Sequence, residues 1–363
     1  MGRVSDSHFE EFHKAMAPTV ETVRALTDAI TAMAPRHGYK PEPGSEAEGE
    51  LKIEEGFKGK TTWDRPLTDT HSMGGVVLLA ATDYARCFAD LFDGQRAPVF
   101  GHLALARAAL EAAMAAGWLN EPGVGWAERA RRGLWEQVKS AWEQWEGAQA
   151  PSEHDDREAA ERKLAELDAA KKRLDRWCAV AEPFGWEVLG RSTGRLRVVS
   201  QERDAKDDPA FSTCRPWPGV GIDELLLGDV LGPRAHDLGR TQWSYLSGVE
   251  HVTWFAMKEA VMVPAEETAE GTSLAGFGTN LGSAQVQAVC VMRAVRLAAN
   301  RRFQLMGWTD GDWAGAYRDI GASLRGQRAL VKAQTAEPIC LSQGPLGVRV
   351  RRLPCDRPRV RTG

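Results

Sequence analysis

Apolar side chains recur every three or four positions along most of this chain, and that spacing predicts helices over 9–33, 74–92, 98–119, 124–147, 153–182, 240–261, 284–306 and 311–333. Pro18 predicts a kink in the first of them. Between 34 and 72, proline, glycine and acidic residues alternate without a period, the composition of a surface connection with little regular structure. In 74–92 the residues Val77, Ala81, Tyr84, Phe88 and Leu91 form one stripe, and Asp83, Arg86 and Asp90 form another that reads as a solvated face. Only 185–200, two alternating runs around Arg191–Gly194, carries a β-hairpin signal. The expected fold is therefore all-α, a multi-helix bundle of roughly eight to ten helices with a small β-hairpin excursion.

Three parts follow from this pattern. Residues 1–71 supply an N-terminal helix and an irregular connection. Residues 72–340 form the helical bundle, with a charged hairpin arm at 153–182 and the β excursion at 185–200. Residues 341–363 make a basic C-terminal tail, in which Arg349, Arg351, Arg352, Arg357, Arg359 and Arg361 face a single acid, Asp356.

Composition narrows the class. At 363 residues, 43% hydrophobic and 26% charged, the chain is long enough to bury a large core. A net charge of -4 gives no general attraction to nucleic acid or anionic lipid, so any such contact must be local, the tail being the densest positive run. The six cysteines form no C-x-x-C pair, Met1–Lys14 has no leader-like apolar run, and no stretch is apolar enough to span a bilayer. A cytoplasmic protein with no membrane partner is expected. Thirteen tryptophans against four tyrosines suit the gaps between alanine-rich helices, or else a pocket for a flat apolar ligand.

Candidate chemistry sits on two helices. Arg107 and Glu111, four apart, project from the face that also carries Leu103, Leu110, Met114 and Trp118, so they are expected to be buried as a pair or to meet partners on a facing helix. The pair either fixes helix register or presents an arginine to an anionic ligand. On 240–261, Trp243, Ser247, His251, Trp254 and Lys258 share one stripe, a hydroxyl and an imidazole one turn apart between two indoles. No third group for a serine-histidine triad is assignable. Arg107, Glu111, Trp243, Ser247, His251 and Trp254 are thus the candidate ligand-binding set, with Glu111 and His251 the candidate acid and base. The cluster His154, Asp155, Asp156 and Glu158 reads as a helix cap before it reads as a metal site, and no metal is assigned. Gly276–Gly282 follows no predicted strand, so no motif calls for a cofactor.

The order "ATDYARCFADLF", "LARAALEAAMAAGWLNEPGVGWAERARRGL", "WSYLSGVEH" and "AANRRFQLMGW" resembles an uncharacterised actinobacterial all-helical family over about 72–310, itself distantly similar to the HEPN (higher eukaryote and prokaryote nucleotide-binding) helical bundles. Some of those bundles are ribonucleases of toxin and phage-defence systems that carry an arginine four to six residues before a histidine. Here the one such spacing, Arg65 to His71, has a proline after the arginine and loop composition around it, and reads as chance. The resemblance then implies a binding or regulatory bundle rather than a nuclease of that mechanism.

Three function classes stay open. One is a helical binding or regulatory protein that takes a nucleotide or RNA, through the pocket or the tail, in stress or phage defence. Another is a small-molecule enzyme, for example an isoprenoid-type cyclase, with an apolar substrate in a tryptophan-lined bundle, although no DDxxD cluster is present. The last is a scaffold or homo-oligomer built on the charged hairpin.

Overall fold

The computed structural model describes residues 6–59, 62–93, 100–149, 157–189, 197–200, 262–263, 276–277, 281–309, 311, 313–320, 322, 339–344 and 347–352. Seven helices carry it: α1 (Asp6–Arg36), α2 (Glu46–Glu54), α3 (Pro66–Asp90), α4 (Gly101–Leu119), α5 (Trp126–Ala148), α6 (Arg157–Ala181) and α7 (Leu281–Met306), followed by a further helical run over 313–320. The fold is an all-α bundle. No helix among the described residues is long and apolar enough to cross a membrane. The backbone of Trp186–Leu189 pairs antiparallel with Arg197–Ser200.

The spacing of apolar residues explains the layers. Phe12, Met16, Val20, Val23, Leu26, Ile30 and Met33 put one face of α1 into the core shared by α3, α4 and α7. α1 is therefore part of the bundle. It runs through Pro18 as one helix. Along α4, Ala106, Ala109, Ala113 and Ala116 are buried, and small side chains let its backbone approach α3 and α7 closely. Tryptophans fill a second core, where Trp118 and Trp135 meet edge to face at 5.6 Å and Trp63 meets Trp177 at 5.6 Å beside Phe184.

Two expectations about 34–72 are corrected. The acidic stretch holds α2, whose Ser45 caps it by accepting from the Glu48 N–H at 3.2 Å. Its acids Glu50 and Glu54 are buried because distant groups use them, which no local composition rule registers. Likewise α3 starts at Pro66 rather than at 74, since a proline at the first helical position loses no hydrogen bond. The Glu54 carboxylate accepts the N–H groups of Leu67 and Thr68 at 2.6 and 2.8 Å and the Thr68 hydroxyl, a cap supplied from another helix. Beyond the bundle, Ile339–Gly344 pairs antiparallel with Gly347–Arg352, so the expected tail begins with paired backbone.

Candidate functional site

Where α2, α3, the α4–α5 turn and α7 meet, charged side chains replace the apolar core. Glu46 and Glu50 lie one turn apart on α2, and their carboxylates meet Arg129 of α5. The Arg129 guanidinium, 0% exposed, donates from Nε to both oxygens of Glu50 at 2.9 and 2.7 Å and from Nη2 to Glu46 at 2.8 Å. Nη1 reaches the carbonyl of Leu119, the last residue of α4, at 2.9 Å, and Nη2 that of Glu121 just beyond it at 3.0 Å. Each of the three guanidinium nitrogens thus has an acceptor, as a buried cation requires.

His71 of α3 closes the other side of Glu50, with Nε2 2.9 Å from Oε2. Burial opposes ionisation of Glu50, but contact with His71 and Arg129 outweighs it and holds the carboxyl below its ordinary range. Burial likewise drives the His71 pKa down, against the pull of Glu50 and helped by the cations of Arg302 and Arg129. The imidazole is therefore neutral at physiological pH.

Asn120, fully buried after α4, links the remaining pieces. Its Nδ2 donates to the carbonyls of Gly74 at 3.0 Å and Ala116 at 2.7 Å, and its Oδ1 accepts from Arg302 Nη1 at 3.0 Å. Position 74 must be glycine for this contact, because a Cβ there would fall 2.6 Å from Asn120 Oδ1. Arg302, from α7, also donates from Nη1 to the His71 carbonyl at 2.8 Å. At the rim, Arg132 donates to the Trp118 carbonyl at 2.6 Å and pairs with Glu121 and Glu128, each at 2.8 Å, while Arg301 reaches the Gly117 carbonyl at 3.2 Å and Glu121 at 3.5 Å.

The expected site residues fare differently. Arg107 and Glu111 do pair, Nη2 to Oε1 at 2.8 Å, but the arginine side chain is 12% exposed and the carboxylate 47%. The arginine is mostly buried while its acid reaches solvent, which corrects the expectation of burial for Glu111 alone: a long arginine lies along the apolar surface and brings its charge to a carboxylate outside it. Trp243, Ser247, His251 and Trp254 lie outside the described residues, as do His154, Asp155 and Asp156. Asp90 pairs with Arg24 at 2.6 Å and Arg86 with Asp28, so that stripe of α3 is an ion-paired seam with α1 at the surface. Arg65 and His71 occupy different environments, the first exposed at the N-cap of α3 and the second buried on Glu50.

Sequence reasoning missed Glu46, Glu50, His71, Asn120, Arg129 and Arg302. A signal existed in the spacing Glu46, Glu50, Glu54, three acids on one helical face with Ala47 beside them, matched by Arg129 and Arg132 on α5. Compared with protein-family models, with curated proteins and with solved structures, the chain shows no match.

Proposed function

We propose that this chain is a helical binding protein for a phosphate-bearing ligand, a nucleotide or RNA, taken up at the polar junction of α2, α3, α5 and α7. One observation carries the reading. Glu46, Glu50, Glu121 and Glu128 neutralise Arg129, Arg132 and Arg301, whereas no carboxylate among the described residues pairs with Arg302. Burial and the neighbouring Arg129 push its pKa down to about 10, so it stays protonated at neutral pH as an uncompensated buried cation. A phosphate supplies the missing charge, and arginine is the side chain best shaped to hold one.

A binding or regulatory role in stress or phage defence, implied by the resemblance to HEPN bundles, is consistent with such a site. The described tryptophans pack against other aromatic rings, Trp63 on Trp177, Trp118 on Trp135, Trp142 on Trp145 and Trp313 on Phe303, which favours a polar ligand over an apolar substrate. The free thiols of Cys87, Cys178 and Cys290 suit a reducing cytoplasm.

Fluorescence anisotropy of a labelled single-stranded RNA and of a labelled adenine nucleotide, titrated with the full chain at two salt concentrations, tests the reading. Saturable binding by either ligand is expected. Absence of binding at low salt by both would refute it.

A further inference from the structure

Arg302 uses one edge of its guanidinium and leaves the other unspent. Nη1 donates to the His71 carbonyl at 2.8 Å and to Asn120 Oδ1 at 3.0 Å, and the Trp308 ring lies 5.8 Å from Cζ. These contacts fix the plane of the group. Nε and Nη2 have no hydrogen-bond partner among the described residues, although the residue is only 8% exposed. Those two donors form the side-on fork that grips an oxyanion through two parallel hydrogen bonds.

Access is provided on the α3 side. Gly75 is partly buried, and outside its own helix backbone Nη2 is the atom nearest to where its Cβ would be, at 3.4 Å, with Cζ at 3.7 Å. Apart from its chain neighbours and the backbone of its own helix, no other atom comes within 4 Å of that point. Nη2 thus faces the α3 backbone at Gly75, with exposed Ser72 and Leu79 on the neighbouring turns. Gly74 serves Asn120, whereas Gly75 has no packing partner that demands a glycine, and its helical position would favour alanine by about 1 kcal/mol.

We infer that Arg302, reached past Gly75, is a bidentate oxyanion site, the place where the phosphate group of the ligand proposed above is held. The inference rests on that reading for its natural ligand, while the site itself is defined by the guanidinium fork and is open to inorganic phosphate.

Isothermal titration of the full chain with orthophosphate, with sodium chloride at matched ionic strength as the blank, and then with AMP, tests it. Wild type takes up one phosphate per chain. Gly75→Leu covers the fork and Arg302→Lys keeps the charge but removes the fork; each weakens phosphate binding at least tenfold, with circular dichroism showing that the helices are retained. Gly75→Leu leaves both Nη1 hydrogen bonds of Arg302 in place, so it stays informative even where Arg302→Lys fails to fold. No phosphate binding by wild type, or unchanged binding by Gly75→Leu, overturns the site. AMP or RNA binding that persists in Gly75→Leu overturns the site and leaves the nucleotide reading standing. Phosphate binding lost in Gly75→Leu, with AMP and RNA no tighter than orthophosphate, supports the site and overturns the nucleotide reading.

Discussion

Arg129 Nε donates to both carboxylate oxygens of Glu50, and the two side chains are 0% and 4% exposed. Seventy-nine positions separate them in sequence, so this one contact fastens the short helix α2 to α5 and, through His71, to α3.

Removing half of such a pair leaves a charge without a partner in a dry site. Glu50→Ala is expected to destabilise the protein by roughly 3 to 5 kcal/mol, and the double change Glu50→Leu with Arg129→Met by clearly less than the sum of the single losses. Urea unfolding followed at 222 nm measures both. Additive losses would show that the two charges do not act as a unit.

The same cluster makes stability depend on pH in a stated direction. His71 has a pKa lowered from 6.5 by burial, so the unfolded chain binds the proton first; its contribution is complete above about 6.5 and declines as pH falls below that value. Glu50, held below 4.5, adds stability that is present above about 4.5 and is lost as pH falls through its folded value. Acid should therefore weaken the fold in two successive steps. His71→Gln should flatten the first and leave the second, as read from melting temperatures taken across that range.

Helices α4, α5, α6 and α7 were legible because their apolar period is local, and their observed ends lie within a few residues of the expected ones. The junction was not legible, for a physical reason. A sequence read by periodicity assigns charge to solvent, and only the fold brings Glu46 and Glu50 to an arginine about eighty positions away. Pro66 looked like a loop residue although it is the first residue of α3, and Asn120 looked like a helix stop although it ties α4 to Gly74 and Arg302. The four-residue spacing of Arg107 and Glu111 makes the pair legible but not the exposure of Glu111, since it fixes which face a side chain takes and not where the helix's edge meets water.

The exposure of Glu111 has a measurable counterpart. With its carboxylate half-exposed, Glu111→Ala should cost only about 0.3 to 0.5 kcal/mol, the range of helical surface pairs. A loss as large as that of Glu50→Ala would place the acid in a buried role.

Close packing of α3 on α5 gives a sharper expectation. A Cβ at Gly133 would lie 1.9 Å from Thr70 Oγ1, whose hydroxyl is itself committed to the Pro66 carbonyl at 2.7 Å. Gly133→Ala must push the helices apart, at about 1 to 3 kcal/mol or more, despite the better helix propensity of alanine. Combining it with Thr70→Ala, which deletes the nearest atom, should recover part of the loss in the same unfolding assay. No recovery would mean that the strain lies elsewhere.

Glu136 on α5 behaves in the opposite sense to Glu50. Its Oε1 is shut from solvent without a hydrogen-bond partner, and burial raises its pKa above 4.5, only partly offset by the nearby Lys139 cation. The native state then holds a proton that the unfolded chain gives up, so stability is lost as pH rises from about 4.5 through the folded value. Replacing it with methionine removes a buried polar oxygen whose unsatisfied state costs about 1 to 3 kcal/mol and keeps most of the volume. Glu136→Met should therefore raise stability at alkaline pH, and raise it less in acid where the wild-type carboxyl is already neutral. Chemical denaturation of both proteins at several pH values decides it, and a methionine variant weaker than wild type at alkaline pH would show that the carboxylate is ionised and used.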